Sequence, residues 1–389
     1  MNLRISVFAI VVAIGWSSSW GADAEMTSPH PKLLSFTVIK TIPLPDSLPD
    51  NFFDYASVDS AVGKLFIGTE DGVTTVDLKT NEATPRFVKA TMVHAVLPLP
   101  NHRMLITSGT TDTAILVDSS SGSILANIKT GRHPDGATYD SVSGLAIAIN
   151  IIGGTVTLID PVKGTAVGDI QVGGILEAGV TDSRGLLYIN VANHANIAVV
   201  DVAARKVLKQ YPLPGCKGPT GLAIDPATDL LVAACGNGKA IALHAKDGKL
   251  AASVKIGEGA DAMLFDSRRK AFFAPSGDAG TLSVLREVSG RRALVLEQTV
   301  KTAPGARTGA IDTETGLLYL PVADEAEGTF LVEGHKLPKH QLKTFRVLVL
   351  AAKDGLLNSL PTDTAPRNPL SALAEVPRLT ALAATTRAQ

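Results

Sequence analysis

Gly185-Leu-Leu-Tyr-Ile-Asn-Val-Ala-Asn-His-Ala-Asn-Ile-Ala-Val-Val-Asp201 holds two short apolar runs, a polar loop between them, and a closing aspartate. Runs of four to six residues bounded by Gly, Asp and Asn are strand and turn chemistry. Just upstream, Gly179-Val-Thr-Asp182 is a third run, again ending in Asp. The same form recurs as Tyr55-Ala-Ser-Val-Asp59, Ala137-Thr-Tyr-Asp140, Leu222-Ala-Ile-Asp225, Met263-Leu-Phe-Asp266 and Ala310-Ile-Asp312. A degenerate copy is Val96-Leu-Pro-Leu-Pro100. The seven anchors at 59, 100, 140, 182, 225, 266 and 312 are spaced by 41, 40, 42, 43, 41 and 46 residues.

Each anchor is followed by a turn and a second run (Gly63–Ile67, Gly144–Ala148, Gly316–Leu320), then a polar loop and a third run (Val73–Asp77, Ala114–Asp118, Val156–Asp160). A further turn leads to a fourth run, such as Ile124–Ile128 or Leu250–Val254. Four short antiparallel strands per ~40 residues make the blade of a β-propeller, and seven copies make a seven-bladed ring. The seventh copy has strands at Gly316–Pro321 and Thr344–Leu350 and then lacks a fourth. An open array leaves an unpaired edge. The segment Lys32–Ile42, with strand composition and placed before the first blade, is expected to close the ring as the outer strand of the last blade.

The repeat Gly185–Asp201 resembles the YVTN-type propeller repeat, although Tyr188-Ile-Asn-Val departs from its tetrapeptide and Leu65–Gly68 and Ala146–Ile149 depart further. From about 36 to 355 the chain is similar to the YncE-like family of exported propellers. That resemblance implies a periplasmic or secreted binding or scaffold protein with no common chemistry. Neither a Trp-Asp repeat signature nor a kelch Gly-Gly motif recurs.

Outside the propeller, residues 1–24 read as a signal peptide. Arg4 precedes the apolar run Ile5–Ile14, and Ala22-Asp23-Ala24 is a small-x-small cleavage site that leaves Glu25 as the mature N-terminus. That run falls well short of the ~20 residues of a spanning helix, and no later stretch approaches that length. Residues 25–35 form a lead, 36–355 the propeller, and 356–389, with four prolines among Ala, Thr and Leu, a mobile tail. The two cysteines, Cys216 and Cys235, fit no zinc or haem spacing, so one bridge or two buried thiols are the choices.

The composition narrows function. The chain has 389 residues with 36 Lys+Arg against 37 Asp+Glu, a net charge of −1, and 45% hydrophobic residues. Wholesale disorder is excluded, and there is no electrostatic footprint for nucleic acid. A monomer is expected. G-x-S-x-G, H-E-x-x-H and Walker A motifs are absent. Gly257–Ala262 formally fits G-x-G-x-x-A, but it leads into a strand, without the helix N-terminus that holds a pyrophosphate.

In a propeller the loop before each innermost strand and the loop between second and third strands share one face, around the central channel. Five residues before the anchors stand Asp54, Ala95, Asp135, Glu177, Thr220, Asp261 and Arg307, four of them acidic. His94 and His133 adjoin them, and His194 comes from the second kind of loop, with Glu70, Asp71, Asp278, Asp324 and Glu325. The expected site is Asp54, His94, His133, Asp135, Glu177, His194, Asp261 and Arg307, taking a protein, a small cationic or hydroxylated ligand, or a divalent cation. Arg307 either binds a ligand carboxylate or pairs with Asp261 or Asp54. An insertion in blade seven, Glu327–Lys343, is either a lid or plain decoration. Three functions follow: a non-catalytic exported binding or scaffold protein, a metal-dependent hydrolase or lactonase using the channel carboxylates, or a docking partner of a periplasmic redox protein.

Overall fold

The innermost strands are Phe53–Asp59, Val93–Leu99, Pro134–Asp140, Leu176–Thr181, Pro219–Asp225, Leu264–Asp266 and Ala310–Ile311. Each begins a four-stranded antiparallel sheet whose strands step outward, and the seven sheets form the blades of a β-propeller. The computed structural model describes residues 34–45, 53–288, 293–332 and 335–353. The expected signal segment 1–24, most of the lead and the tail 356–389 lie outside them.

The repeating aspartate has a local cause. Its carboxylate accepts backbone N–H groups two and three residues on, an Asx turn that ends one strand and aims the next. Asp59 accepts from Ala61 and Val62, Asp225 from Ala227, and Asp266 from Arg268 and Arg269. The aspartates closing the third strands do the same: Asp118 accepts from Ser120 and Ser121, Asp160 from Val162 and Lys163.

The second and third strands are covered on both faces by neighbouring blades and so read as continuous apolar runs. The core is correspondingly divided. Each of seven apolar clusters joins one pair of adjacent blades, the last joining blade 7 to blade 1 through Ile42, Phe53, Ile67, Tyr319 and Val349.

The ring closes as expected. Phe36–Pro43 pairs antiparallel with Arg346–Ala352, from Phe36 opposite Ala352 to Pro43 opposite Arg346. Side chains of blade 6 also hold this strand: Glu297 Oε1 accepts from Leu34 N at 2.7 Å, and Gln298 bonds both N and O of Phe36. Phe36 is buried edge-on against Phe273, ring centroids 4.9 Å apart.

Two sequence expectations are corrected. The anchor of blade 2 is Leu99, not Pro100, because Leu99 pairs with Arg103 across a three-residue turn where other blades use four. Asn101 and His102 make the shorter turn with φ of 63° and 55°. The insertion of blade 7 begins earlier than Glu327 and is a two-stranded hairpin, Glu325–Val332 with His335–His340.

Cys216 and Cys235 are bridged, with Cα atoms 5.5 Å apart. Pro219 is the residue opposite Cys235 in the ladder, and the preceding loop folds back to bring Cys216 alongside. Closing a loop of this length restricts the unfolded chain by about 3 kcal/mol. Replacing both cysteines by Ser is therefore expected to lower the urea-unfolding free energy by about that amount. Two thiols titrating per chain in urea without reductant would contradict the bridge.

Candidate functional site

Innermost strands of blades 1 to 5 share one irregularity: two residues oppose a single residue of the second strand. The pairs are 54–55, 94–95, 135–136, 177–178 and 220–221. A bulge re-aims its side chains. Blade 6 carries the same extra residue between the Ala260–Ser276 bridge and the Leu264–Phe273 pair, which puts Asp261 in the equivalent place. Counting back from Asp312, Arg307 is the equivalent in blade 7. The seven ring positions, six on bulges and the seventh by its offset from the anchor, are thus Asp54, His94, Asp135, Glu177, Thr220, Asp261 and Arg307. In blade 2 His94, not Ala95, holds the ring position, because the anchor stands at Leu99.

A bulge frees backbone carbonyls from the ladder, and the preceding blade takes them up. Thr107 Oγ1 donates to Asp135 O at 2.6 Å, Asn190 Nδ2 to Thr220 O and Gly221 O, and Thr308 Oγ1 to Asp54 O at 2.9 Å. The ring residues are therefore fixed from blade to blade.

The second bulge positions in blades 1 to 6 are Tyr55 and then the small residues Ala95, Gly136, Ala178, Gly221 and Ala262. They line a cavity of about 230 Å³ along the channel with Met263 and Leu264. Tyr55 lies within electrostatic reach of acids on blades 3, 4 and 6. Burial first, then Asp135, Asp261, Glu177 and Asp54, raise its phenol well above the ordinary value, so it stays neutral.

His94 Nδ1 lies 2.7 Å from Asp54 Oδ2 and 3.0 Å from Asp135 Oδ1, a fork in which one ring nitrogen serves two carboxylates. Burial alone lowers the imidazole; Asp135 and Asp54 outweigh it, and the net direction is well above the ordinary value. Burial pushes Asp135 up, but the charge and hydrogen bond of His94 bring it below the ordinary value. Across the channel Arg307 Nε donates to Asp261 Oδ2 at 3.1 Å. Burial, partly offset by Arg307, still leaves Asp261 raised to about 6, with Asp54 and Asp135 adding to the rise.

Glu177 is the carboxyl left over: its side chain makes no hydrogen bond or ion pair among the described residues. Burial first, then Asp135, Asp261 and Asp54, hold it well above the ordinary value. An acid whose folded pKa is raised costs nothing below its unfolded pKa of about 4.3. It then removes stability as pH climbs to the folded value, and the loss persists above it. Glu177→Gln is therefore expected to be clearly more stable than the parent at pH 8, with a higher urea midpoint. Near pH 4 the two should coincide. Equal urea midpoints at pH 8 would contradict this.

His133 precedes its strand with φ of 57°, held by Asp112 Oδ1 accepting from its N–H at 2.8 Å. Its ring lies 5.2 Å from that of His94. His94, His133 and Asp135 each offer a donor atom within 4.8 Å of the others, a set with metal-ligating residue types. The structure does not bring His194 into this group. It is exposed on the turn Ala192–His194, which joins the second and third strands and so lies farther from the axis. Asp71 and Asp324 pair with Arg86 and Arg346 of their own blades instead. Tyr55 was not among the expected residues; the signal for it was its position, directly after Asp54 and unlike its small counterparts.

No family model matches the chain, and no curated protein matches it. Solved structures do. The RRP9 WD40 repeats align with a TM-score of 0.66 at 9% identity over 82% of this chain and 100% of that one. A chain of the mitotic checkpoint complex aligns at 0.64, with 11% identity over 82% and 96%. A chain of Kuenenia stuttgartiensis hydrazine synthase aligns at 0.62, with 15% identity over 77% and 97%. At these identities the likeness establishes the fold, a β-propeller, and nothing about what this chain binds.

Proposed function

We propose that the chain is an exported, monomeric, non-catalytic propeller of the YVTN-repeat, YncE-like kind, which binds a small cationic or hydroxylated ligand, or such a group on a partner protein, at the channel mouth. One observation carries this reading. The same bulge in blades 1 to 6 brings Asp54, His94, Asp135, Glu177, Thr220 and Asp261 to one ring, which Arg307 of blade 7 joins through its bond to Asp261, around a channel whose next layer is mostly Gly and Ala. Crowding four carboxyls against two cations costs stability. A scaffold that only had to hold blades together would do as well with Thr at every position. Glu177, lacking a partner among the described residues, is where an incoming cation gains most.

Export is supported by the apolar run Ile5–Ile14 with its small-x-small site, and by the Cys216–Cys235 bridge, a bond typical of oxidising compartments. No helix among the described residues is long and apolar enough to cross a membrane. N-terminal sequencing of the secreted chain should begin at Glu25.

The binding reading is tested with spermidine, arginine and inositol as probes, by calorimetry and melting temperature. At least one should bind and raise the melting point in proportion to the logarithm of its concentration, and Glu177→Gln should lose the response. No binding of any probe, or responses identical in the variant, would overturn it. The metal-dependent hydrolase is the second reading, favoured by the three-donor set of His94, His133 and Asp135.

A further inference from the structure

Blades 2 and 4 join their second and third strands through the same device, a single 3-10 turn: Gly109–Thr111 and Ala192–His194. Both end on a left-handed cap, Asp112 at φ 52° and Ala195 at φ 47°. Gly109 and Ala192 are therefore equivalent, and neither has a positive φ. The turn itself does not require glycine, since blade 4 builds it with alanine. The space does: a Cβ on Gly109 would stand 2.7 Å from His94 Nε2 and 2.9 Å from His133 Cε1. The side chain is missing where two imidazoles pass under the turn. The cap of the same turn, Asp112, is the residue whose carboxylate holds the His133 backbone. One short turn thus packs against Nε2 of His94 and Cε1 of His133, while Nδ1 of His94 faces Asp135.

On that side the donors converge. His94 Nδ1 is 3.0 Å from Asp135 Oδ1 and 2.7 Å from Asp54 Oδ2, and the donor atoms of His94, His133 and Asp135 all fall within 4.8 Å. Metal–ligand bonds of 2.0–2.1 Å give tetrahedral donor–donor edges of about 3.3 Å. The His94–carboxylate distances fall below that edge and the three-donor set as a whole lies within 4.8 Å, so the side chains must rotate to take the ion. We propose that His94, His133 and Asp135 bind a first-row divalent ion of the zinc kind, with Asp54 as the adjoining carboxylate. This rests on the channel mouth being a binding site and names one ligand of it. Two imidazoles with a carboxylate suit zinc, cobalt, iron or manganese. Calcium prefers six or more oxygens, and magnesium a largely hydrated octahedron. Asp54 and Asp135 together match the charge of the ion.

The test uses the full, tag-free chain stripped with chelator and titrated with cobalt(II). One equivalent should bring up visible d–d absorption and raise the melting temperature, and zinc(II) should abolish the absorption by displacement. Calcium and magnesium at the same concentration should do neither. His133→Gln and Asp135→Asn should lose the absorption. Asp54→Asn should weaken cobalt binding by about 10–100-fold, as loss of a supporting carboxylate does. Gly109→Ala should weaken it by at least about tenfold, within that same range, while melting cooperatively, because alanine already fills the equivalent turn position. His194→Gln should bind as the parent does. Should the donor variants unfold, zinc-edge absorption of the loaded parent decides: two imidazoles in the coordination shell support the site, and one or none overturns it. Absence of d–d absorption, or absorption surviving in both His133→Gln and Asp135→Asn, also overturns it. In that event a Glu177-dependent response to spermidine, arginine or inositol would leave the binding reading standing.

Discussion

A chain that begins at residue 46 is expected to aggregate. It lacks Phe36–Pro43, the outer strand of blade 7, and so exposes the whole of Arg346–Ala352 as an unpaired edge. It also loses the buried side chains of Leu34, Phe36 and Ile42. At about 1.5–3 kcal/mol for each fully buried apolar side chain, that removes several kcal/mol from a typical net stability of about 5–15 kcal/mol. The remaining cluster between blades 6 and 7 keeps Phe273 without its edge-on partner. Size-exclusion chromatography with light scattering should show soluble aggregates or precipitate, where the longer chain runs as a single species. The point variant Phe36→Ala isolates the packing part and should cost about 3–5 kcal/mol. A truncated chain that stays monodisperse with an unchanged melting point would refute closure by this strand.

His94→Leu is expected to lose about 3–5 kcal/mol at pH 7 in the presence of chelator, the cost of breaking a buried ion pair by removing one partner. The substitution leaves Asp54 and Asp135, both buried, without the ring nitrogen that now lies within 3.0 Å of each. The triple variant Asp54→Asn, His94→Gln, Asp135→Asn exchanges the charges for neutral hydrogen-bonding groups of similar shape and should recover most of the loss. Urea unfolding of the three proteins measures both differences. If His94→Leu proves as stable as the parent, the fork is not an ion pair and the electrostatic account of this side of the ring fails.

What the amino-acid sequence determined by itself is whatever depends on short range and on repetition. Asp59, Asp140, Asp182, Asp225, Asp266 and Asp312 each fold back on their own following residues, so the anchor is a local event and its period reveals the blades. The deficit of a fourth strand after Thr344, set against Lys32–Ile42, was enough to expect the closure, because an open edge is costly wherever it occurs. The ring positions were countable for the same reason: strand length and bulge repeat, so a fixed offset from the anchor lands on Asp54, Asp135, Glu177, Asp261 and Arg307. The count slipped only at blade 2, where Asn101 and His102 shorten the turn by one residue and the equivalent side chain becomes His94. Tertiary structure alone decided the rest. His194 belongs to the same face as the ring but sits a strand farther out, and radial depth leaves no trace in spacing along the chain. That Arg307 turns to Asp261, that Asp54 and Asp135 share one nitrogen of His94, and that Glu177 is left without an ion-pair partner among the described residues and held well above the ordinary carboxylate value are choices among side chains about 40 residues apart or more. Those choices depend on burial and on distances of 3 Å, and both exist only once the seven blades have closed around the axis.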